Sequence, residues 1–336
     1  MTTIKVSAAM IVRDEEAGIW KALQSLRDVV DEIIIMDTGS ADQTMRFVAK
    51  VDDEWRADTS RQSPRIVALE WPWQDDFAMA RNEVQSRCTG DWIVVLDGDE
   101  VLDPGNLREV LERTDAGAVI ATVHAHYPDS PVETTLGLRA YRKDRCSWRY
   151  PVHNQLVGWK TTEMSTAVVH ASYSEGIGRT IDRVPILKQY YIDHPEDPHA
   201  PYFLAKVALS SGDFLDVKKW CEILAMTSAD NPLFASFWVY YVVAEAMTTG
   251  FAAARGLVDH ALRIHPSFPD LWHLRANLDM VEWVKTSRSI GEYTLASTAW
   301  AHIAADVAEA GRLLGFMFRT GAADEPGSIP TDKDKR

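Results

Sequence analysis

The chain has 336 residues, 46% of them hydrophobic, three cysteines and a formal net charge of −14. That length suggests two domains, or one with a large appendage. The acidic balance, present in both halves, disfavours a nucleic-acid partner, because such proteins carry a basic face.

No apolar run approaches the roughly 18–20 residues that a membrane span needs. The opening Met1-Thr2-Thr3-Ile4-Lys5-Val6 reads as the start of a strand and not as a signal peptide. Cys88, Cys146 and Cys221 are scattered and odd in number, as expected of reduced cysteines in a cytoplasmic protein.

Residues 4–12 are apolar and predict a first strand, broken by Arg13-Asp14-Glu15-Glu16. Ile19, Leu23 and Leu26 then recur at helical spacing. Glu32-Ile33-Ile34-Ile35-Met36 predicts a second, buried strand ending in Asp37-Thr38-Gly39-Ser40. A helix is expected over 42–50, a short strand over 66–69 and another helix over 77–87. Asp91-Trp92-Ile93-Val94-Val95-Leu96 is a continuous apolar run holding three β-branched residues, which reads as a buried strand. It ends abruptly in Asp97-Gly98-Asp99-Glu100. Further strands are expected around 117–123, 136–141 and 167–170. Strands alternating with helices imply an α/β, Rossmann-like domain with a mainly parallel sheet.

From residue 181 helical signals take over. Pro198, Pro232 and Pro266 are 34 residues apart, the tetratricopeptide period. Five and six residues after each stands an apolar or aromatic pair: Phe203-Leu204, Phe237-Trp238 and Leu271-Trp272. Gly212 and Gly250 fall in turns between candidate helices. These positions predict helix–turn–helix repeats over 197–285 and an Ala-rich closing helix over 292–320. The expected domains are therefore 1–180, a sheet-based domain; 181–320, an all-α helical-repeat domain; and 321–336, a polar tail without fixed structure.

The carboxylates at strand ends carry the chemistry. Ligands of open α/β sheets collect beyond the carboxyl ends of strands. Two aspartates one residue apart there, Asp97 and Asp99, can hold a hard divalent cation through oxygen. The plainer alternative is an acidic turn around Gly98. The first βα turn contains neither GxGxxG nor GxxxxGK[ST], which disfavours a dinucleotide oxidoreductase or a P-loop enzyme. Asp14-Glu15 and Asp37 stand at strand ends instead, where a carboxylate can accept hydrogen bonds from a uracil imide or ribose hydroxyls.

Four blocks now line up: Ser7 to Glu16, Asp31 to Thr44, Asp76 to Asn82, and Gly90 to Glu100. Their order and spacing resemble family 2 glycosyltransferases. Weaker similarity continues through Val152-His153 and Val169-His170 into the repeats, which a branch of that family also carries. The resemblance implies a GT-A fold, a nucleoside diphosphate sugar donor (a UDP-sugar favoured), Mn²⁺ or Mg²⁺, and direct displacement with inversion. It also implies roles. Asp37 reads the base, while Ile11 and Arg13 line the nucleotide pocket. Arg81 pairs with a phosphate or a sugar hydroxyl. Asp97 serves the ribose or the metal, and Asp99 is the closer metal ligand. His170 completes the metal shell or touches the diphosphate. Glu100 orients the loop or contacts the acceptor. Strand capping for Asp37, an exposed helix arginine for Arg81 and a structural histidine for His170 are the competing assignments.

One motif departs from the family. Many relatives read Val-His-Glu where this chain has Val152-His153-Asn154, and Asn154 cannot take a proton. The general base is then His153, whose ordinary pKa of about 6.5 suits the task, or a displaced carboxylate such as Glu100 or Glu163. A thiol acceptor would need no strong base. A catalytically dead relative is a fourth possibility, which the intact Asp97/Asp99 pair opposes. Trp73, Trp148 and Tyr150 are candidate sugar or acceptor walls. The repeats predict a concave surface, which favours a protein or peptide acceptor over a glycan or lipid, with a nucleic-acid base third, or else supports a homodimer. The rivals are a non-catalytic tetratricopeptide scaffold with a nucleotide-sugar-binding domain, and a nucleotidyltransferase. The latter is disfavoured by the acidic residues where its glycine-rich loop belongs.

Overall fold

A computed structural model describes residues 4–127, 130–172 and 182–290, with side chains as far as Val281. They fall in two compact units that divide between Ile186 and Leu187.

The first unit runs β1 (Val6–Val12), α1 (Ile19–Leu26), β2 (Glu32–Asp37), α2 (Thr44–Ala57), β3 (Arg65–Glu70), α3 (Phe77–Arg87), β4 (Trp92–Val95), β5 (Glu100–Asp103) and α4 (Leu107–Arg113). It continues with β6 (Ala118–His126), β7 (Glu133–Arg142), β8 (Ser147–Arg149), β9 (Gln155–Val157) and β10 (Thr162–Ser172). Eight strands form one sheet in the order β3-β2-β1-β4-β7-β6-β10-β5, and β8 pairs with β9 alone. The strands β3, β2, β1 and β4 are parallel, and β6 is parallel to β10. The reversal enters at β7, antiparallel to both β4 and β6, and at β5, antiparallel to β10.

The all-apolar strands are explained by burial on both faces. Ile19, Leu23 and Leu26 of α1 and Val48, Val51 and Trp55 of α2 join Val6, Ala8, Met10, Ile33 and Ile35 in one core. Val84 packs with Ala9, Ile34, Ile93 and Val95 in a second core. Because β2 lies on one side of β1 and β4 on the other, the chain order reverses at β1, the place where such sheets open a ligand crevice.

Helix α2 runs past the expected residue 50 because buried Val51 and Trp55 continue its apolar stripe through a charged stretch. The elements β5, α4, β8 and β9 are too short for periodicity to announce.

In the second unit α5 (Arg183–Asp193) crosses the boundary and is followed by α6 (His199–Ser211), α7 (Phe214–Thr227), a 3-10 turn (Pro232–Phe234), α8 (Phe237–Thr248), α9 (Phe251–Ile264) and α10 (Pro269–Ile290). Gly212, left-handed at φ 74°, ends α6, and Asp213 caps α7 by accepting from the Asp216 N–H. Gly250, at φ 122°, makes the equivalent turn between α8 and α9. Two helical hairpins follow, but their turn glycines are 38 residues apart and not the expected 34, because the connection before α8 carries the 3-10 turn at Pro232–Phe234; Tyr202 Oη of α6 lies 2.7 Å from Ser236 Oγ at the start of α8. The expected closing helix over 292–320 and the tail from 321 lie outside the described residues. No described helix is long and apolar enough to cross a membrane.

Candidate active site

The carboxyl ends of β1 and β2 are stitched together by their own loops. Asp14, left-handed at φ 54°, donates its N–H to Ser40 Oγ at 3.0 Å, and its Oδ1 accepts from the Ala41 N–H at 2.7 Å. Glu15 N–H donates to Thr44 Oγ1, and Gln43 N–H donates to Glu16. Asp37 is buried at the end of β2. Its Oδ1 accepts from the Gly39 and Ser40 N–H groups and from Ser40 Oγ. The aspartate therefore shapes its own loop through Oδ1. Ile11 is half-buried near the end of β1, and Arg13 is exposed beside Asp14 at 3.8 Å.

The Asp97-Gly98-Asp99 turn presses on this loop. A Cβ on Gly18 would stand 2.5 Å from the Gly98 carbonyl oxygen, and one on Gly98 would stand 2.7 Å from Glu15 Cγ. Asp97 Oδ1 accepts from Arg81 Nη2 at 3.0 Å, and the Arg81 guanidinium lies over the Trp148 ring at 4.9 Å. Burial pushes the Asp97 pKa up, but Arg81 and then Arg139 outweigh it and hold the carboxyl below the ordinary aspartate range. Glu100, 3% exposed, receives both Nη atoms of Arg139, at 2.7 and 3.0 Å, and also accepts the Asp97 N–H at 3.0 Å. Burial and then Asp97 push its pKa above the usual glutamate range, against the pull of Arg139.

The Asp99 carbonyl accepts from the Ser172 N–H at 3.2 Å, which sets the end of β10 beside the turn. On β10 His170 Nδ1 is 3.3 Å from His126 Nε2, and the His124 ring packs edge-on against it. His170 therefore belongs to a cluster of three histidines on β6 and β10.

Helix α3 ties the turn to the β8–β9 hairpin. Asp76 caps α3 by accepting from the Met79 N–H. Asn82 and the Trp148 backbone exchange two hydrogen bonds, at 2.8 and 2.9 Å. Trp148 Nε1 donates to Tyr141 Oη, and the Phe77 N–H donates to the Pro151 carbonyl. Tyr150 and His153, both left-handed at φ 73° and 50°, bracket this turn, and His153 is exposed. Strained non-glycine backbone of this kind concentrates at functional sites. Trp73 donates to Asp75 and packs edge-on against Phe77.

The two carboxylates expected as candidate bases are placed as follows. Glu163 accepts from Thr114 Oγ1 at 2.6 Å and pairs in register with Val119, whereas Ala171, eight residues along the same strand, is level with Glu100. At about 3.3 Å per residue it stands at the far edge of the sheet. Glu100 has both oxygens engaged by Arg139. Sequence reasoning missed Arg139, Gly18 and the clamp formed by Asn82. The Ala80-Arg81-Asn82 block was the available signal for Asn82.

The donor set at Asp97 and Asp99 fits a magnesium-like ion in kind, since such ions are commonly held by one or two carboxylates with substrate phosphates and water filling the remaining positions. Among the described residues no three His, Cys, Asp or Glu side chains gather as a ready-made metal site. Asp97, Asp99 and His170 are therefore not one preformed ligand set.

Residues 7–171 match the model of glycosyl transferase family 2. A TPR repeat-containing protein of Synechococcus elongatus is 30% identical over 239 residues, covering 65% of this chain and 56% of the relative. The SPbeta prophage-derived glycosyltransferase SunS of Bacillus subtilis is 30% identical over 108 residues, 32% of this chain and 23% of SunS. The chain thus spans about half or less of these relatives. A crystal structure of S. aureus TarS 1-349 in complex with UDP-GlcNAc aligns with 74% of this chain and 92% of its own, at 13% identity and a TM-score of 0.44. With four sequence blocks and the strand-end site falling inside the matched segment, the N-terminal unit belongs to glycosyltransferase family 2 and is followed by tetratricopeptide-like helical hairpins.

Proposed function

We propose that the chain is a metal-dependent glycosyltransferase that moves a sugar, with inversion, from a nucleoside diphosphate sugar, a UDP-sugar favoured, to a protein or peptide acceptor. The observation that carries this is the Asp97-Gly98-Asp99 turn at the end of β4, packed on the loop that leads from β1 and close to Arg81. Asp37 and the loops around Asp14 receive the nucleoside. Asp97 and Asp99 would hold Mn²⁺ or Mg²⁺, which when bound would neutralise the departing diphosphate. Arg81 adds a fixed positive charge on the same side. His170 completes the metal shell or contacts the diphosphate. His153, exposed on its strained turn, is the group assigned to take the acceptor proton, in place of the glutamate that Asn154 replaces. The acceptor polypeptide is assigned to the helical hairpins, a kind of surface that holds peptides well. The three free, buried cysteines fit a reducing compartment, the cytoplasm.

The test is donor binding by thermal shift and isothermal titration, with UDP-, GDP- and TDP-sugars, with and without Mn²⁺. One donor is expected to bind tightly only with the ion, and Asp99→Ala is expected to remove that dependence and slow donor hydrolysis by about 100-fold or more, equivalent to about 2.7 kcal/mol. If no donor is hydrolysed or transferred, and Asp99→Ala leaves donor binding unchanged, the enzyme assignment fails and the scaffold alternative takes its place.

A further inference from the structure

Three independent features converge on Arg139, a residue that no motif includes. The first is its fork on Glu100, whose Oε2 also accepts the Asp97 N–H. One guanidinium thus acts on the backbone of the turn through a single intervening carboxylate. Side chain and turn are 42 positions apart in the chain, so nothing local sets this geometry.

The second feature is a β-bulge. Val119 of β6 pairs with Ala140 of β7, but the next residue, Ile120, pairs with Leu138. Arg139 is the extra residue between them. The ladder between β4 and β7 also ends at Val94 and Ala140, so Arg139 is the first residue beyond it. Bulges next to active sites re-aim a side chain that regular alternation would point elsewhere. Here the side chain released from both ladders is the one that reaches Glu100.

The third is clearance. Gly137 is the residue two before Arg139, on the same face of a regular strand. A Cβ there would lie 3.2 Å from Val123 Cγ2 and 3.6 Å from Arg139 Nε. The first distance is tight and the second an ordinary van der Waals contact, so the guanidinium packs closely against the strand beside Gly137. Arg139 Nε itself is buried with no hydrogen-bond partner among the described residues. The guanidinium is therefore held by its two Nη contacts to Glu100, and its position and that of the carboxylate are fixed together.

We propose that Arg139 is a positioning residue of the donor site: from a bulge in β7 it clamps Glu100, and through Glu100 it sets the Asp97–Asp99 turn for the cation and diphosphate. This rests on the glycosyltransferase assignment above. It explains why a glutamate with no room to meet substrate directly follows the two aspartates. It also separates two properties of the pocket. The nucleoside end, built on Asp37 and the Asp14 loop, does not depend on Arg139, whereas the cation-dependent end does.

The experiment uses the full chain. Binding of UDP, with GDP and TDP in parallel, is titrated calorimetrically with and without Mn²⁺ for the wild type, Arg139→Lys, Arg139→Met and the double variant Glu100→Gln/Arg139→Met. Melting temperatures are recorded without ligand. Arg139→Lys keeps the charge but loses the fork, so it should melt close to wild type. Its nucleotide affinity without metal should be unchanged, while the tightening produced by Mn²⁺ falls by about 10–100-fold, as when a group orienting a metal ligand is removed.

Arg139→Met should melt lower, because it buries an uncompensated carboxylate. The double variant should recover the melting temperature, because a buried pair made neutral on both sides is tolerated, but not the Mn²⁺ effect. A variant that melts like wild type and keeps the whole Mn²⁺ effect would reduce Arg139 to a structural strut and overturn the proposal. No Mn²⁺ effect on wild type with any of the three nucleotides would overturn the metal assignment beneath it, and the clamp with it.

Discussion

At the scale of single residues, the site is a set of carboxylates whose neighbours decide what each can do. Asp97 is held ionised by Arg81 and Arg139, Asp37 is half committed to its own loop, and Glu100 is consumed by its clamp. With both oxygens of Glu100 engaged by Arg139, the proposed acceptor base is His153. His153→Ala is expected to lower kcat for transfer by about 10²–10⁴-fold and to leave donor affinity unchanged. The check is steady-state transfer beside calorimetric donor titration. Asn154→Glu in that background should restore part of the rate, since it returns a proton acceptor one position away. Recovery that fails while His153→Ala still transfers at the wild-type rate would move the base elsewhere. The aspartates were legible because each ends an apolar run, so that sequence position alone places it at the rim of the sheet. Arg139 was not, because a bulge exists only in the register between two strands, which no single run of residues records.

At the scale of elements, the parallel half of the sheet is tied at its amino end by one buried acid. Glu32 begins β2 and accepts from Ser7 of β1 and from both the N–H and the hydroxyl of Thr89, just before β4. Burial pushes its pKa up, but these hydrogen bonds, with Lys5, outweigh that and hold it below 4.5. A depressed carboxylate pKa means that its stabilisation is fully present above the unfolded value of about 4.3 and is lost as the pH falls through the folded value. Glu32→Gln should therefore cost about 1–3 kcal/mol at pH 7, and the gap from wild type should narrow as the pH falls below the unfolded value of about 4.3. Urea unfolding at pH 7 and pH 3.5 measures both. A gap that is constant across that range would mean that the charge contributes nothing. The long strands and α3 were readable from composition. The hairpin of β8 and β9 was not, because strands of three residues have no period, and what holds them is Asn82 and Arg81 on another element.

At the scale of the whole molecule, two compact units stand in sequence, one built on the sheet and one in which Tyr202, Trp220, Leu224, Phe237 and Trp238 are buried. A chain with two such units is expected to melt in more than one step. Leu224→Ala, at a fully buried position of α7, should lower one transition by about 2–5 kcal/mol and leave both the other transition and donor affinity in place. Scanning calorimetry with a donor titration checks this, and an equal shift of both transitions would make the chain a single cooperative unit.

The hydrogen bond between Tyr202 and Ser236 joins the first helices of successive hairpins, whose turn glycines Gly212 and Gly250 stand 38 residues apart. Chain length in this half is consequently quantised. An insertion or deletion of one whole hairpin returns every buried side chain to an equivalent seat, whereas a change of a few residues inside a helix puts the array out of phase with itself. Related chains would then differ here by whole hairpins, and the reach of the array could be changed without altering the sheet-based unit before it.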